Sequence, residues 1–244
     1  MTDLRTTIAV CLAFAHAAGM APSAGAADVA RSDPEIAACQ RVEATGPAID
    51  ACSAIIDSPD WAGARAVWAL NNRGLAHAAR GNYLAALADY DAAIALDPDN
   101  AAAFSNRGNA HAALGDMLKA LADHSRAIEI DPKYVSAWHN RGVDHEELGN
   151  PRAALADYRQ ALDLDPDHRG ARLGLATANC RLGRAKTSSA ARLDAINRGH
   201  IDPSAFQRVL QNAGHYRGPI DGKFGRGSRA ALRAWTRAGC LPVR

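Results

Sequence analysis

Residues 67–100 read VWALNNRGLAHAARGNYLAALADYDAAIALDPDN. The two stretches that follow, AAAFSNRGNAHAALGDMLKALADHSRAIEIDPKY at 101–134 and VSAWHNRGVDHEELGNPRAALADYRQALDLDPDH at 135–168, repeat that pattern with a step of 34. Asn72-Arg73-Gly74 recurs as Asn106-Arg107-Gly108 and Asn140-Arg141-Gly142, and Gly81, Gly115 and Gly149 follow in the same register. Ala86, Ala120 and Ala154, then Asp89, Asp123 and Asp157, then Ala93, Ala127 and Ala161 keep step as well. Asp97-Pro98, Asp131-Pro132 and Asp165-Pro166 close each period. Apolar and small residues recur at helical spacing on both sides of each inner glycine. Each period therefore predicts two helices, with glycine making the turn between them and Asp-Pro breaking the second.

These residues resemble the tetratricopeptide repeat family, with small residues at the eighth, twentieth and twenty-seventh places of the repeat and proline at the thirty-second. The resemblance covers residues 67–168 as three full repeats, 67–100, 101–134 and 135–168. It implies an all-α helical solenoid, with 34–57 as a degenerate leading helix pair and 169–183 as the solvating cap that such arrays need. Arg73, Arg107 and Arg141 stand where the family has leucine. Each lies 16 residues before Asp89, Asp123 or Asp157 on the partner helix, so a structural Arg–Asp ladder is expected rather than a catalytic role. His77, His111 and His145 take a packing position, and packed or hydrogen-bonded histidines are preferred to metal ligands. The resemblance further implies that Cys39 and Cys52 face each other across the leading hairpin, where a disulfide closing so short a loop would contribute ~3 kcal/mol. Cys180 and Cys240 then pair with each other or stay free.

Stacked repeats of this kind present a groove lined by the first helix of each. The resemblance maps that lining onto Trp68, Asn71, Leu75, Ala102, Ser105, Asn109, Ser136, His139, Val143, Glu146 and Glu147. The lining is apolar to mildly polar and ends acidic. It is suited to a segment of a partner protein, or to a neighbouring copy.

Outside the repeats the composition changes. The 244 residues carry a net charge of +2, yet 28–168 hold 12 basic and 22 acidic residues, and 169–244 hold 15 basic against 3 acidic. The basic end should meet something anionic. Residues 184–201 are polar and serine-bearing, a linker or short connecting helix. Asp202-Pro203 then starts a helix to about Asn212, and a second helix runs from about Gly227 to Ala238. Between and within them Gln207, Leu210, Gly214, Tyr216, Gly218, Asp221, Gly222, Phe224, Gly225, Ser228, Ala231, Leu232 and Trp235 occur in the order found in small peptidoglycan-binding domains. Residues 202–242 thus resemble that family, a small three-helix-type domain, with Thr236 where glutamine is usual. Asp221 and Phe224 are read as keepers of the fold. Tyr216, Arg217, Lys223, Arg226 and Arg229 are the candidate wall contacts, an aromatic ring suiting a sugar face and guanidinium groups suiting stem-peptide carboxylates.

The amino terminus has the layout of an export signal. Arg5 precedes the apolar stretch Ile8–Met20, and Ala24-Gly25-Ala26 offers a cleavage site, giving a leader of 1–26 and a periplasmic protein. Removing it leaves four cysteines, Cys39, Cys52, Cys180 and Cys240, an even number suited to an oxidising compartment. No apolar run reaches the length of a membrane span. No H-E-x-x-H, G-x-S-x-G or Cys/His metal spacing occurs, so neither a catalytic residue, a metal nor a cofactor is expected. The expected function is a non-enzymatic scaffold that binds peptidoglycan through the C-terminal module and an envelope protein through the repeats. The second reading is an accessory or regulatory subunit of a wall enzyme or secretion complex, its C-terminal module facing protein instead. A wall hydrolase and a nucleic-acid binder find weaker support, the latter for want of a reading helix or aromatic platform.

Overall fold

The structure, a computed structural model, describes residues 34–43, 45–238 and 240, without the side chains of Ala64 and Arg65. The expected leader, 1–26, lies outside the described residues. Twelve α-helices and two short 3-10 turns, Pro59–Trp61 and Gly63–Ala66, account for the regular structure, and no strand occurs among the described residues. The chain forms two compact units, one up to Ala137 and one from Trp138.

The first unit holds α1 (Pro34–Gln40), α2 (Thr45–Asp57), α3 (Val67–Ala79), α4 (Tyr83–Leu96), α5 (Ala101–Ala113) and α6 (Met117–Ile130), each packed on the next. The turns inside the hairpins are made by Gly81 and Gly115 at φ 78° and 87°, a backbone region that costs glycine nothing and other residues ~1 kcal/mol or more. Asp97 and Asp131 end α4 and α6, their carboxylates accepting the N–H groups of Asp99 at 3.3 Å and Lys133 at 2.9 Å. The next helix is capped at once, Asn100 accepting from the N–H of Ala103 at 3.0 Å. Gly74 and Gly108 sit where a Cβ would strike the buried rings of Tyr90 and His124. The leading hairpin α1–α2 is joined by the Cys39–Cys52 disulfide, with a Cα separation of 4.8 Å and both cysteines buried beside Ile36, Ile55 and Ala69.

The boundary between the units falls within α7 (Val135–Glu147). The second unit continues with α8 (Pro151–Leu164), α9 (Arg169–Arg181), α10 (Ala185–Asn197), α11 (Pro203–Asn212) and α12 (Arg226–Arg237). Two expectations change here. Residues 184–201, expected as a linker or short connecting helix, hold α10, which packs against α9 as the second helix of a fourth hairpin and is no mere connection. Accordingly 169–183 is not a solitary cap. Gly183, at φ 71°, makes the turn, 34 residues after Gly149. The C-terminal segment supplies only α11 and α12; the third helix of its small core is α10, whose Leu193 and Ile196 pack with Phe206, Leu210, Ala231 and Leu232.

Candidate binding surfaces

The arginines that depart from the repeat pattern are forked onto aspartates. Arg73 Nε and Nη2 donate to Asp89 at 3.0 and 2.6 Å. Arg107 does the same to Asp123 at 2.9 and 2.7 Å, and Arg141 to Asp157 at 2.9 and 2.7 Å. The three aspartates are buried, so each charge is compensated inside its own hairpin. Spare guanidinium nitrogens tie neighbouring hairpins, Arg73 to Ser53 at 3.0 Å and Arg107 to Asp91 at 2.7 Å. His77 and His145 stand beside the same carboxylates, at 4.0 and 3.8 Å, and His111 stands 3.9 Å from Asp116. Among the described residues no three His, Cys, Asp or Glu side chains gather to hold a metal.

The predicted groove residues fare unequally. In the first unit Trp68 and Leu75 are half-buried, and Trp68 meets Trp61 edge-on at 5.8 Å. Asn71 accepts from Asn106 at 2.9 Å, and Asn109 lies 3.2 Å from His124 Nε2, so both amides are engaged by the fold. Ser105 is buried and offers nothing to a partner. In the second unit Val143 is half-buried, and His139 is set between the rings of His168 and Tyr158 at 5.0 and 5.9 Å. Glu146, expected on the open lining, is buried. One carboxylate oxygen has no partner, and burial pushes the carboxyl up to about 7 against partial opposition from Arg181.

The fourth hairpin breaks the pattern. At the place of Tyr90, His124 and Tyr158 stands Arg192, which is 6% exposed. Its guanidinium donates to the carbonyl of Ala176 at 3.1 Å and to Ser188, and it lies 4.9 Å over the ring of Trp235 in α12. Burial lowers its pKa to about 10, against partial opposition from the charge of Glu146. Next to it Ser189 and Thr236 share a 2.6 Å hydrogen bond, and Cys180 forms a disulfide with Cys240. The C-terminal module is thus packed onto α9 and α10. Thr236, the departure from the wall-binding pattern, is buried in this contact and does not face solvent.

Gln207 organises the loop between α11 and α12. Fully buried, it donates to Asp221 at 3.0 Å and Ser228 at 3.1 Å, and accepts from the N–H groups of Asp221 and Gly222 at 3.2 and 3.0 Å. These bonds, the Gln207 contact first, hold the Asp221 carboxyl below its usual range. Tyr216 is pinned by its hydroxyl, which donates to the Pro219 carbonyl at 3.0 Å. The fold so built separates four of the five basic and aromatic candidates into two places. Tyr216 and Arg217, with His215 and Pro219, wall an open cleft of about 580 Å³ floored by Gly227, Ala230 and Ala234 of α12. Arg226 and Arg229 lie instead round a second hollow with Arg233. Lys223 lines neither; its backbone N–H and carbonyl brace the loop, with Asp221 and Gln207. Arg233 and Arg237 were missed by residue-type matching, although Arg226, Arg229, Arg233 and Arg237 have the spacing of a single helix face.

The comparisons with known proteins follow the same division. Three family models match, described as "TPR repeat" over 74–115 and "Tetratricopeptide repeat" over 99–167 and 139–199. The last spans the fourth hairpin. No curated protein matches. Among solved structures, MamA is 18% identical with a TM-score of 0.59, the alignment covering 69% of this chain and 98% of that one. A tetratricopeptide repeat protein from Parabacteroides merdae is 23% identical with a TM-score of 0.58, over 68% of this chain and 64% of that one. Both are likenesses of fold. The Arabidopsis OM64 TPR domain is 30% identical over 46% of this chain and 93% of that domain, with a TM-score of 0.46.

Proposed function

Because this chain belongs to the tetratricopeptide repeat proteins, we propose that it is an exported, non-enzymatic scaffold holding a protein partner on its repeat helices and peptidoglycan on its C-terminal module. The partner half follows from the family: helix pairs whose polar side chains are spent on one another leave a mildly apolar lining, at Trp68 and Leu75 of the first unit, that suits a peptide segment better than chemistry. The wall half is carried by one observation. The cleft beside Tyr216 combines a fixed aromatic ring, a small-residue floor and Arg217, and the exposed Arg226, Arg229 and Arg233 stand on the same helix as that floor. An aromatic ring suits a sugar face, and guanidinium suits carboxylate. Export is supported by the leader-like sequence and by two disulfides, which persist in oxidising compartments. No helix among the described residues is long and apolar enough to cross a membrane.

Co-sedimentation of the full mature chain with purified sacculi tests the wall half, and affinity capture of envelope proteins with a Trp68→Ala/Leu75→Ala control tests the partner half. Truncation before Asp202 is unsuitable as the control, since it would uncover Arg192. The packing of the module onto α9 and α10 favours a second reading, in which the C-terminal module extends the repeat surface toward a protein and the chain is an accessory subunit. Absence of pelleting together with capture that depends on Tyr216 and Arg217 would select it.

A further inference from the structure

Arg226, Arg229 and Arg233 repeat the spacing of Gly227, Ala230 and Ala234 one residue earlier. On an α-helix that offset turns the arginine row about 100° from the cleft floor, so the two surfaces share α12 and run side by side along it. The arginines are exposed, and no carboxylate of the described residues lies within ion-pair distance of any of them. Elsewhere the contrast is plain: Arg73, Arg107, Arg141, Arg172 and Arg198 all meet aspartates. Arg229 is steadied by donating from Nε to the Phe224 carbonyl at 3.2 Å. Like charges three and four residues apart repel one another along a helix, a cost that an anionic ligand would lift.

We propose that this row reads the stem-peptide carboxylates of peptidoglycan while the Tyr216 cleft beside it takes the glycan, so that the module recognises the anionic glycopeptide and not the bare sugar chain. The inference rests on the wall-binding reading above. A neutral chain lying along the floor would carry its side carboxylates to one edge, where guanidinium forks meet them. A phosphodiester strand would also satisfy arginine, but would have no use for the ring and neutral floor one stripe away.

The test uses the full mature chain, pelleted with intact sacculi and with glycan strands stripped of peptide and capped as amides at the lactyl carboxylates so exposed, at about 50 and about 300 mM salt. Two variants accompany it: Arg229→Gln/Arg233→Gln, at exposed positions, and Ala230→Trp, which fills the exposed floor. The wild-type chain is expected to bind stripped glycan about tenfold or more weakly than sacculi at low salt. The arginine variant should lose a similar factor on sacculi while matching wild type on glycan, and Ala230→Trp should weaken binding to both. Equal wild-type binding to sacculi and stripped glycan, an arginine variant indistinguishable from wild type on sacculi, or displacement from sacculi by a single-stranded oligonucleotide would each overturn the assignment. If wild type fails to pellet with sacculi at either salt, the wall reading itself falls and takes this inference with it, an outcome distinct from wall binding without arginine dependence.

Discussion

Replacing Glu146 by glutamine should make the protein more stable at neutral and alkaline pH and leave it unchanged in acid. The side chain is 8% exposed, one carboxylate oxygen has no partner, and its carboxyl is raised from 4.5 to about 7. Burial is the first cause; Glu147 adds to it, and the positive charges of Arg181 and Arg192 oppose it without reversing it. A folded-state pKa above the unfolded one means that the neutral form is favoured by folding. Stability from this group is fully present below about pH 4.5 and is lost as pH rises through about 7. A tenfold change in proton affinity corresponds to about 1.4 kcal/mol, so the loss approaches about 3 kcal/mol by pH 8. Glutamine has the same shape and no charge to bury. In thermal melts followed by circular dichroism, Glu146→Gln should match wild type near pH 4.5 and exceed it by about 15 °C at pH 8, taking a domain of about 100 residues as the unfolding unit. Parallel melting curves for the two proteins from pH 4.5 to 8 would refute the reasoning, as would a wild type that gains stability from this residue as pH rises.

Arg141→Leu should leave the buried Asp157 carboxylate uncompensated and cost about 3 kcal/mol in denaturant unfolding, whereas Arg141→Leu/Asp157→Leu should cost much less; equal losses would argue against the forked pair as a charge-compensating unit. Gln207→Ala strips the loop of its shared donor and acceptor, and amide exchange at residues 214–225 should accelerate while the repeats keep their protection. Truncation before Asp202 should lower the melting temperature of the remaining chain as well as remove the module, because Arg192 loses Trp235 and Cys180 loses Cys240. An unchanged melt would mean that the module is only tethered. Reduction, or Cys39→Ala/Cys52→Ala, should cost about 3 kcal/mol in the leading hairpin, read from exchange at α1 and α2.

Much of this protein is written locally. The step of 34 places every hairpin from Val67 to His168, glycine at the inner turns follows from the positive φ they need, and Asp-Pro ends each pair. The Arg–Asp pairs were legible too, because two helices of a hairpin bring residues 16 apart into contact wherever the hairpin recurs. The fourth hairpin was only half legible: Gly183, Ser188 and Ala195 keep the register, but a polar, serine-bearing segment hides it, and its missing Arg–Asp pair and tyrosine erase the strongest marks. What lay beyond sequence is burial decided by residues far along the chain. Arg192 looks like a solvated charge until Trp235 covers it, and Thr236 looks like a weakened ligand contact until Ser189 meets it. Glu146 likewise has the repeat position of an open groove residue and is buried. Periodicity fixes which helices form because their hydrogen bonds and turns are local. Which face is left to water depends on the neighbour that packs there, and only the folded chain supplies that neighbour.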